Sequence, residues 1–291
     1  MPMLKFGLPK GSLQESTFSL LREAGWNFSP PGRSYYPVGD DPEVKAMLAR
    51  PQEMSRYVER GVFDVAITGR DWTCENASDV EIVTELLYSK ASLGPIRWAL
   101  AVLEDSPIRD IKDLEGKVVA TELVKTTERF FARHGVRPQR VDFSHGATEV
   151  KVPDLADAIV DCTETGSSFR ANRLREITTV LDSLTVMIVN KPAWQDPWKR
   201  EKISAIMVML HGVLAAKDKI LLKLNAPSTH LDAIVRALPA LNAPTVNQLS
   251  TPGWHAVETI VDLTRARILI PQLKALGAQG LVTLSPGLVV P

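Results

Sequence analysis

Cysteine is scarce in this chain, with only Cys74 and Cys162 among 291 residues. Two thiols cannot build the disulfide framework of a small secreted domain, and a reducing, cytoplasmic location is expected. Charge of one sign is equally lacking, since 34 basic residues balance 34 acidic ones. That balance gives no electrostatic case for nucleic acid or an anionic membrane as partner. Apolar runs stay far below the roughly 20 residues that a bilayer span needs. The N-terminal MPMLKFGLPKGSL passes quickly into strand-like sequence, without the basic and apolar regions of a signal peptide. The five histidines have neither metal-ligand spacing nor a cysteine neighbour, which argues against a zinc site. The patterns G-x-x-x-x-G-K-[ST], G-x-G-x-x-G and G-x-S-x-G are missing. Their absence removes the commonest nucleotide fingerprints and the hydrolase elbow, without excluding nucleotide binding by another route.

What remains is an ordinary globular composition, 45% hydrophobic and 23% charged, long enough for two or three domains. Strand-like and helix-like segments alternate as in an α/β protein. Residues 4–8, 63–67, 98–103, 117–120 and 140–143 read as strands, with 177–189 as two more around Asp182 and Ser183. Helices are expected from Ser12, over 53–60 and 126–134, and over 191–216, where Pro197 bends or restarts the helix. From Lys219 the order becomes strand, helix, strand, strand, helix, strand, with the second helix over 269–276. This is the split βαβ of ferredoxin-like modules, which often bind small effectors or pair into dimers.

The densest chemical signal is DAIVDCTETGSSFR, residues 157–170. Ala158, Ile159 and Val160 form a short apolar run suited to a buried strand, and Thr165, Gly166, Ser167 and Ser168 are turn and N-cap chemistry. A helix over SSFRANRLREI would then present its free N–H groups and positive dipole end to a phosphate, with Gly166 allowing close approach. Asp161, at the strand's carboxyl end, is placed to accept from a ribose diol. A strand–turn–helix of this composition is also common as plain structure. Lys10, beside Gly11, is a second anion-site candidate and equally a solvated lysine. Arg50 and Asp71 fall near strand or helix ends where α/β sites collect, though capping or surface charge explains either alone. Cys162 beside the turn reads first as packing.

Several segments together resemble the long form of the ATP phosphoribosyltransferase family, the first enzymes of histidine biosynthesis. They are LPKGSL (8–13), RPQEMSRYVERGVFDVAITGRDW (50–72), VATE (119–122), GATEVKVPDLADAIVDCTETGSS (146–168), WQDPWKREKI (194–203) and APTVNQLSTPGWHAVE (243–258). The resemblance implies a two-lobed α/β body like a type II periplasmic binding protein, followed by a ferredoxin-like (ACT/PII-like) α+β regulatory domain. Its implied boundaries are 1–90 with 180–215 for lobe I, 91–179 for lobe II and 217–291 for the regulatory domain.

The implied reaction moves 5-phosphoribosyl from phosphoribosyl pyrophosphate to N1 of the adenine of ATP, releasing diphosphate, with Mg2+. On that resemblance Thr165, Gly166, Ser167 and Ser168 hold the 5-phosphate and Asp161 the ribose hydroxyls. Lys10 and Arg50 meet the triphosphate or diphosphate charge, Glu164 meets a hydroxyl, Mg2+ or the adenine amine, and Asp71 orients the nucleotide. Protein ligands of the metal are not assigned. Histidine as allosteric inhibitor maps to Asn225, Leu241, Thr245 and Gly280, with asparagine at a place where some relatives carry aspartate. A homodimer assembling to a homohexamer is implied. The competing class is a two-lobed binding or regulatory protein without catalysis.

Overall fold

The computed structural model describes residues 2–29, 32, 34–88, 94–239 and 243–290. It divides into two compact units, Met1–Ser19 with Trp26–Ser204, and Leu20–Gly25 with Ala205–Pro291. The chain starts β1 (Leu4–Pro9), α1 (Gln14–Glu23), a short pairing of β2 (Phe28–Ser29) with β3 (Val38–Gly39), and β4 (Val44–Ala49). It continues α2 (Pro51–Glu59), β5 (Val65–Gly69), α3 (Arg70–Asn76) and β6 (Glu81–Leu86). A second run is β7 (Ile96–Leu103), β8 (Val118–Thr121), α4 (Val124–Arg133), β9 (Arg140–Phe143), β10 (Ala158–Thr163), α5 (Ser167–Ala171) and β11 (Leu174–Ser183). Then β12 (Thr185–Val189) precedes α6 (Lys191–Gln195) and α7 (Pro197–Ala216).

The first unit contains two five-stranded sheets, ordered β4-β1-β5-β12-β6 and β11-β7-β10-β8-β9. In each, the strand entered on crossing from the other sheet runs antiparallel to its central neighbour: β12 against β5, and β7 against β10. The remaining core pairings β1–β4, β1–β5, β10–β8 and β8–β9 are parallel. Two crossings with one reversed strand per sheet make the two-lobed arrangement of type II periplasmic binding proteins, as expected. The return to the first sheet begins at Thr185, because residues up to Ser183 are still paired with β7.

Burial explains which sequences form which strands. All five residues of β5, VAITG, are buried, the continuous apolar run of a strand covered on both faces. Asp64, just before it, is buried yet paired: Oδ2 accepts from Lys5 N at 2.8 Å and Oδ1 from Lys199 Nζ at 2.7 Å. The carboxylate thereby ties β1 and the start of α7 to the head of β5. Gly7 lies where three elements converge. A Cβ there would meet the Phe63 ring at 2.7 Å, Met54 Sδ at 2.8 Å and Ala66 Cβ at 2.9 Å.

The second unit carries β13 (Lys219–Pro227), α8 (Leu231–Ala237), β14 (Thr245–Gln248), β15 (Trp254–Asp262), α9 (Leu263–Ala275) and β16 (Gln279–Leu284). Its strand order β14-β15-β13-β16, antiparallel throughout, is the ferredoxin-like order. Ile220, Leu222, Leu224 and Ala226 alternate inward along β13 and pack with Ile234, Leu269 and Leu273 of the helices.

Two readings of the sequence need correction. The helix expected over SSFRANRLREI stops at Ala171, since Arg173 takes φ 55° and Leu174 enters β11 beside β7; sheet pairing overrides local helix propensity. Helix α9 starts at Leu263, not Leu269, and accommodates Pro271 within it. The restart expected at Pro197 within 191–216 is found: α6 ends before Asp196 and α7 begins with Pro197 in its first turn. In addition β4, β6 and α3 were not anticipated.

Gly7→Ala is expected to destabilise the first unit by about 1–3 kcal/mol, because three tightly packed neighbours must move. Urea unfolding would measure it, and an unchanged midpoint would contradict the packing described.

Candidate functional site

A cavity of about 410 Å³ lies between the two sheets of the first unit. The carboxyl ends of parallel strands supply its walls, as expected for an open α/β sheet. From the first sheet come Lys10, Gly11, Ser12 and Leu13 after β1, Arg50, Pro51 and Gln52 after β4, and Gly69, Asp71 and Trp72 after β5. From the second come Trp98 on β7, Glu122 after β8, and Asp161, Cys162 and Glu164 on and after β10. Tyr88 and residues 183–185, at the two crossings, also line it.

The first wall carries the cations. Lys10 N donates to Ala49 O at 2.8 Å, which sets the loop against the end of β4. Lys10 Nζ stands 3.8 Å from the centroid of the Tyr35 ring, a cation–π contact. The hydrogen bond and charge of Lys10, with a smaller contribution from Arg50, lower the Tyr35 phenol below its ordinary range. Arg50 occupies the N-cap position of α2 and makes no side-chain cap.

The second wall carries the acids. Asp161 Oδ1 accepts from Cys162 N at 2.7 Å. Burial, joined by the nearby charges of Glu149 and Glu122, raises its carboxyl from 3.8 to about 6. Burial likewise pushes the Cys162 thiol up to about 12, so this cysteine is a packed thiol and no ready nucleophile. Glu122 is half-buried, 3.5 Å from His145 Nδ1 and 3.4 Å from Gly146 N. Sequence reasoning passed over Glu122. Its signal was available, since it closes a strand as Asp161 does on the neighbouring one.

The structure brings Lys10, Arg50, Asp71, Asp161 and Glu164 to one cavity, whose lining does not include Thr165, Gly166, Ser167 or Ser168. Those four form the adjoining turn. Gly166 sits at φ 72° and its N–H donates to Thr163 Oγ1 at 2.9 Å. Thr165 Oγ1 donates to Ser167 Oγ at 3.1 Å, and Arg170 Nη1 donates to Thr165 O at 3.1 Å. Because α5 has five residues, the dipole argument loses most of its weight, and the polar groups this turn offers are backbone N–H groups, hydroxyls and Arg170.

Asp71 differs from expectation. It is buried, with Oδ2 accepting from Trp98 Nε1 at 2.8 Å and Oδ1 from Trp72 N at 2.9 Å, while its own N–H donates to Ser183 Oγ at 3.0 Å. Burial raises its carboxyl, against the pull of these hydrogen bonds. Both oxygens thus already serve protein donors, which makes Asp71 a brace of the cavity floor.

In the second unit, Asn225 pairs with Ala256 and with Gln279, and a Cβ on Gly280 would stand 3.3 Å from Asn225 Nδ2. Gly280 has φ 56°. Thr245 pairs with Glu258 on the neighbouring strand. Leu241 lies outside the described residues.

The model of the family described as ATP phosphoribosyltransferase matches residues 50–212, and that described as HisG, C-terminal domain, matches residues 216–285. The ATP phosphoribosyltransferase of Chlorobaculum parvum is 53% identical over 279 residues, 96% of this chain and 95% of that protein. The chain belongs to the ATP phosphoribosyltransferase family. The same-named protein of Chlorobium phaeovibrioides is 54% identical over an equal span. The structure titled ATP phosphoribosyl transferase (HisG:HisZ) complex from Thermotoga maritima superposes with a TM-score of 0.61 at 27% identity, covering 72% of this chain and 97% of that one. As a member of the ATP phosphoribosyltransferase family the chain is a pentosyltransferase of histidine biosynthesis, and a metal generally serves catalysis in that family. No described helix is long and apolar enough to cross a membrane.

The acid wall fits a metal that arrives with substrate. Among the described residues no group of three or more His, Cys, Asp and Glu side chains could hold an ion alone. Magnesium usually takes one or two carboxylates, several waters and substrate phosphates, and Asp161, Glu122 and Glu164 offer the carboxylates.

Between the ordinary value of 3.8 and about 6, the folded protein keeps the Asp161 proton that the unfolded chain has lost. Stability therefore falls as pH rises through that window and stays lower above it. Asp161→Asn is expected to stabilise the substrate-free protein by about 1–3 kcal/mol at pH 7–8, with the gain gone near pH 4. Urea midpoints across pH would show it, and a difference independent of pH would refute the assigned cause.

Proposed function

We propose that the chain transfers 5-phosphoribosyl from phosphoribosyl pyrophosphate to N1 of the adenine of ATP and releases diphosphate. One observation carries the assignment of roles: the cavity sets Lys10 and Arg50 on one wall against Asp161, Glu122 and Glu164 on the other. The reaction divides charge in the same sense. The C1–oxygen bond of the ribose breaks with its electron pair leaving on diphosphate, and the adenine N1 lone pair forms the new bond to C1. Cationic donors are needed where negative charge collects, and carboxylates where hydroxyls and oxocarbenium character lie. Lys10 and Arg50 take the diphosphate or triphosphate end. Asp161, with Glu122 beside it, accepts from the ribose diol, and Glu164 meets a hydroxyl or the adenine amine. The turn of Thr165, Gly166, Ser167 and Ser168 receives the 5-phosphate. Asp71 contributes by holding Trp98 and the cavity floor. Asp161, Glu122 and Glu164 would hold Mg2+ together with substrate phosphates, and the ion would supply charge neutralisation at the leaving group.

The domain reading follows the same proposal: 1–90 with 180–215 and 91–179 as the two catalytic lobes, and 217–291 as an effector domain. Free histidine is the proposed inhibitor, with Asn225 and Gly280 side by side, Thr245 on a further strand of the same sheet, and Leu241 assigned by resemblance. Cytoplasmic location and a homodimer assembling to a homohexamer complete it.

Incubation with ATP, phosphoribosyl pyrophosphate and Mg2+ should yield N1-phosphoribosyl-ATP, followed by absorbance, and no product at saturation would overturn the reaction. Asp161→Asn should weaken binding of phosphoribosyl pyrophosphate more than that of ATP; equal losses would refute the ribose role. Asn225→Asp, which adds a charged acceptor for an α-ammonium, should tighten histidine inhibition about tenfold, and an unchanged inhibition curve would remove Asn225 from the effector site.

A further inference from the structure

Helix α4 has no cap from its own lobe. Its N-cap residue is Leu123, which provides no side-chain hydrogen bond. The first-turn donors turn instead to a carboxylate from the other lobe: Glu75 Oε1 accepts from Lys125 N at 3.0 Å and Oε2 from Thr126 N at 2.8 Å. Glu75 sits on α3, which follows β5 of the first sheet, whereas α4 follows β8 of the second. A return bond comes from Arg129 on α4, whose Nη2 donates to Cys74 O at 2.6 Å and to Thr126 Oγ1 at 3.0 Å. The glutamate is 9% exposed, so these are charge-assisted bonds shielded from water.

The next residue grips the opposite wall. Asn76 Nδ2 donates to Gln52 O and to Ser55 Oγ, both at 2.9 Å, at the start of α2. Helix α2 begins directly after Arg50, and α4 begins two residues after Glu122; Arg50 and Glu122 line the cavity from different sheets, one in its cationic and one in its acidic wall. Two consecutive residues of α3 therefore hold the two helix starts that carry these groups.

We propose that Glu75 is a positioning residue that fixes the gap between the cationic and acidic walls, and so the alignment of leaving diphosphate with attacking nucleotide. The inference rests on the reaction proposed above. Binding of a ligand confined to one wall does not need that gap, whereas transfer across the cavity does, because a displacement of about 1 Å can cost on the order of a hundredfold in rate.

The wild-type chain is assayed first, and its failure to form N1-phosphoribosyl-ATP would count against the reaction itself. With activity in hand, Glu75→Gln keeps the side chain's size but sets an amide donor against a backbone donor. It should lower kcat at least tenfold, leave the KM for ATP and the affinity for ribose 5-phosphate within about twofold, and speed hydrogen exchange at the Lys125 and Thr126 amides. Arg129→Met, which loosens the same docking while leaving the Glu75 carboxylate in place, should lower kcat several-fold and decides the matter should Glu75→Gln fail to fold. Wild-type kcat in a folded variant would overturn the proposal, and so would a loss of ribose 5-phosphate affinity parallel to the loss of kcat, which would mark a general collapse of the second lobe.

Discussion

Everything at the cavity depends on how the short helix α3, between two strands of the first sheet, docks against the second. Its first turn plants a buried carboxylate, Asp71, against the indole of Trp98, and its last turn plants Glu75 on the start of α4. Between them Trp72 packs edge-to-face on Trp98, with centroids 6.2 Å apart. A pair of lobes joined only by two crossing strands would be free to open widely. Here the crossings themselves are stitched: Thr185 Oγ1 donates to Tyr88 O at 2.8 Å, and the Tyr88 hydroxyl lies 2.7 Å from Thr17 Oγ1. Burial of that phenol raises it well beyond its ordinary range, which makes Tyr88 a permanent neutral strut. The price of this arrangement is two buried acids, each tolerable because its oxygens are met by donors.

Asp161 stands in a different balance. It has one backbone donor, acid neighbours and little solvent. Such a group is poorly satisfied in the substrate-free protein and is improved by hydroxyl donors or a cation. Asp64 makes the contrast clear, because its two oxygens are fully engaged by Lys5 and Lys199. Both aspartates lie next to or within buried strands. One is complete as folded, with both oxygens met by charged or backbone donors, whereas the other has a single backbone donor.

The fold was legible to the degree that local pattern and pairing agreed. The run VAITG of β5 and the alternation along β13 declare themselves because burial on two faces or one leaves a direct mark on sequence. Strand β4, VKAMLA, left no such mark, since its place is fixed by register with β1 rather than by its own composition. The short α5 was overread because Arg173 and Leu174 have no local reason to leave a helix; the pairing of β11 with β7 supplies one. Around the cavity, Lys10, Arg50 and Asp161 were readable from strand ends, and Glu164 only through the family resemblance. Glu75 was not, since its partner amides lie 50 and 51 residues away, and no local motif announces a cap lent by another lobe.

The turn after β10 shows how a local signal can rest on the wrong physical reason. Thr165 to Ser168 suggested an anion cradle through a helix dipole, yet five residues of helix cannot supply much of one. What the turn does supply is geometry. Gly166 at φ 72° lets the chain reverse, Thr163 Oγ1 ties the reversal to the end of β10, and Arg170 folds back over Thr165. The guanidinium reaching Thr165 O brings a cation to a turn whose other donors are neutral, and a bound phosphate would compete with that carbonyl for it. The turn is therefore better understood as a preorganised loop with its own countercharge than as the mouth of a helix, and its Gly and Arg are as much part of it as its hydroxyls.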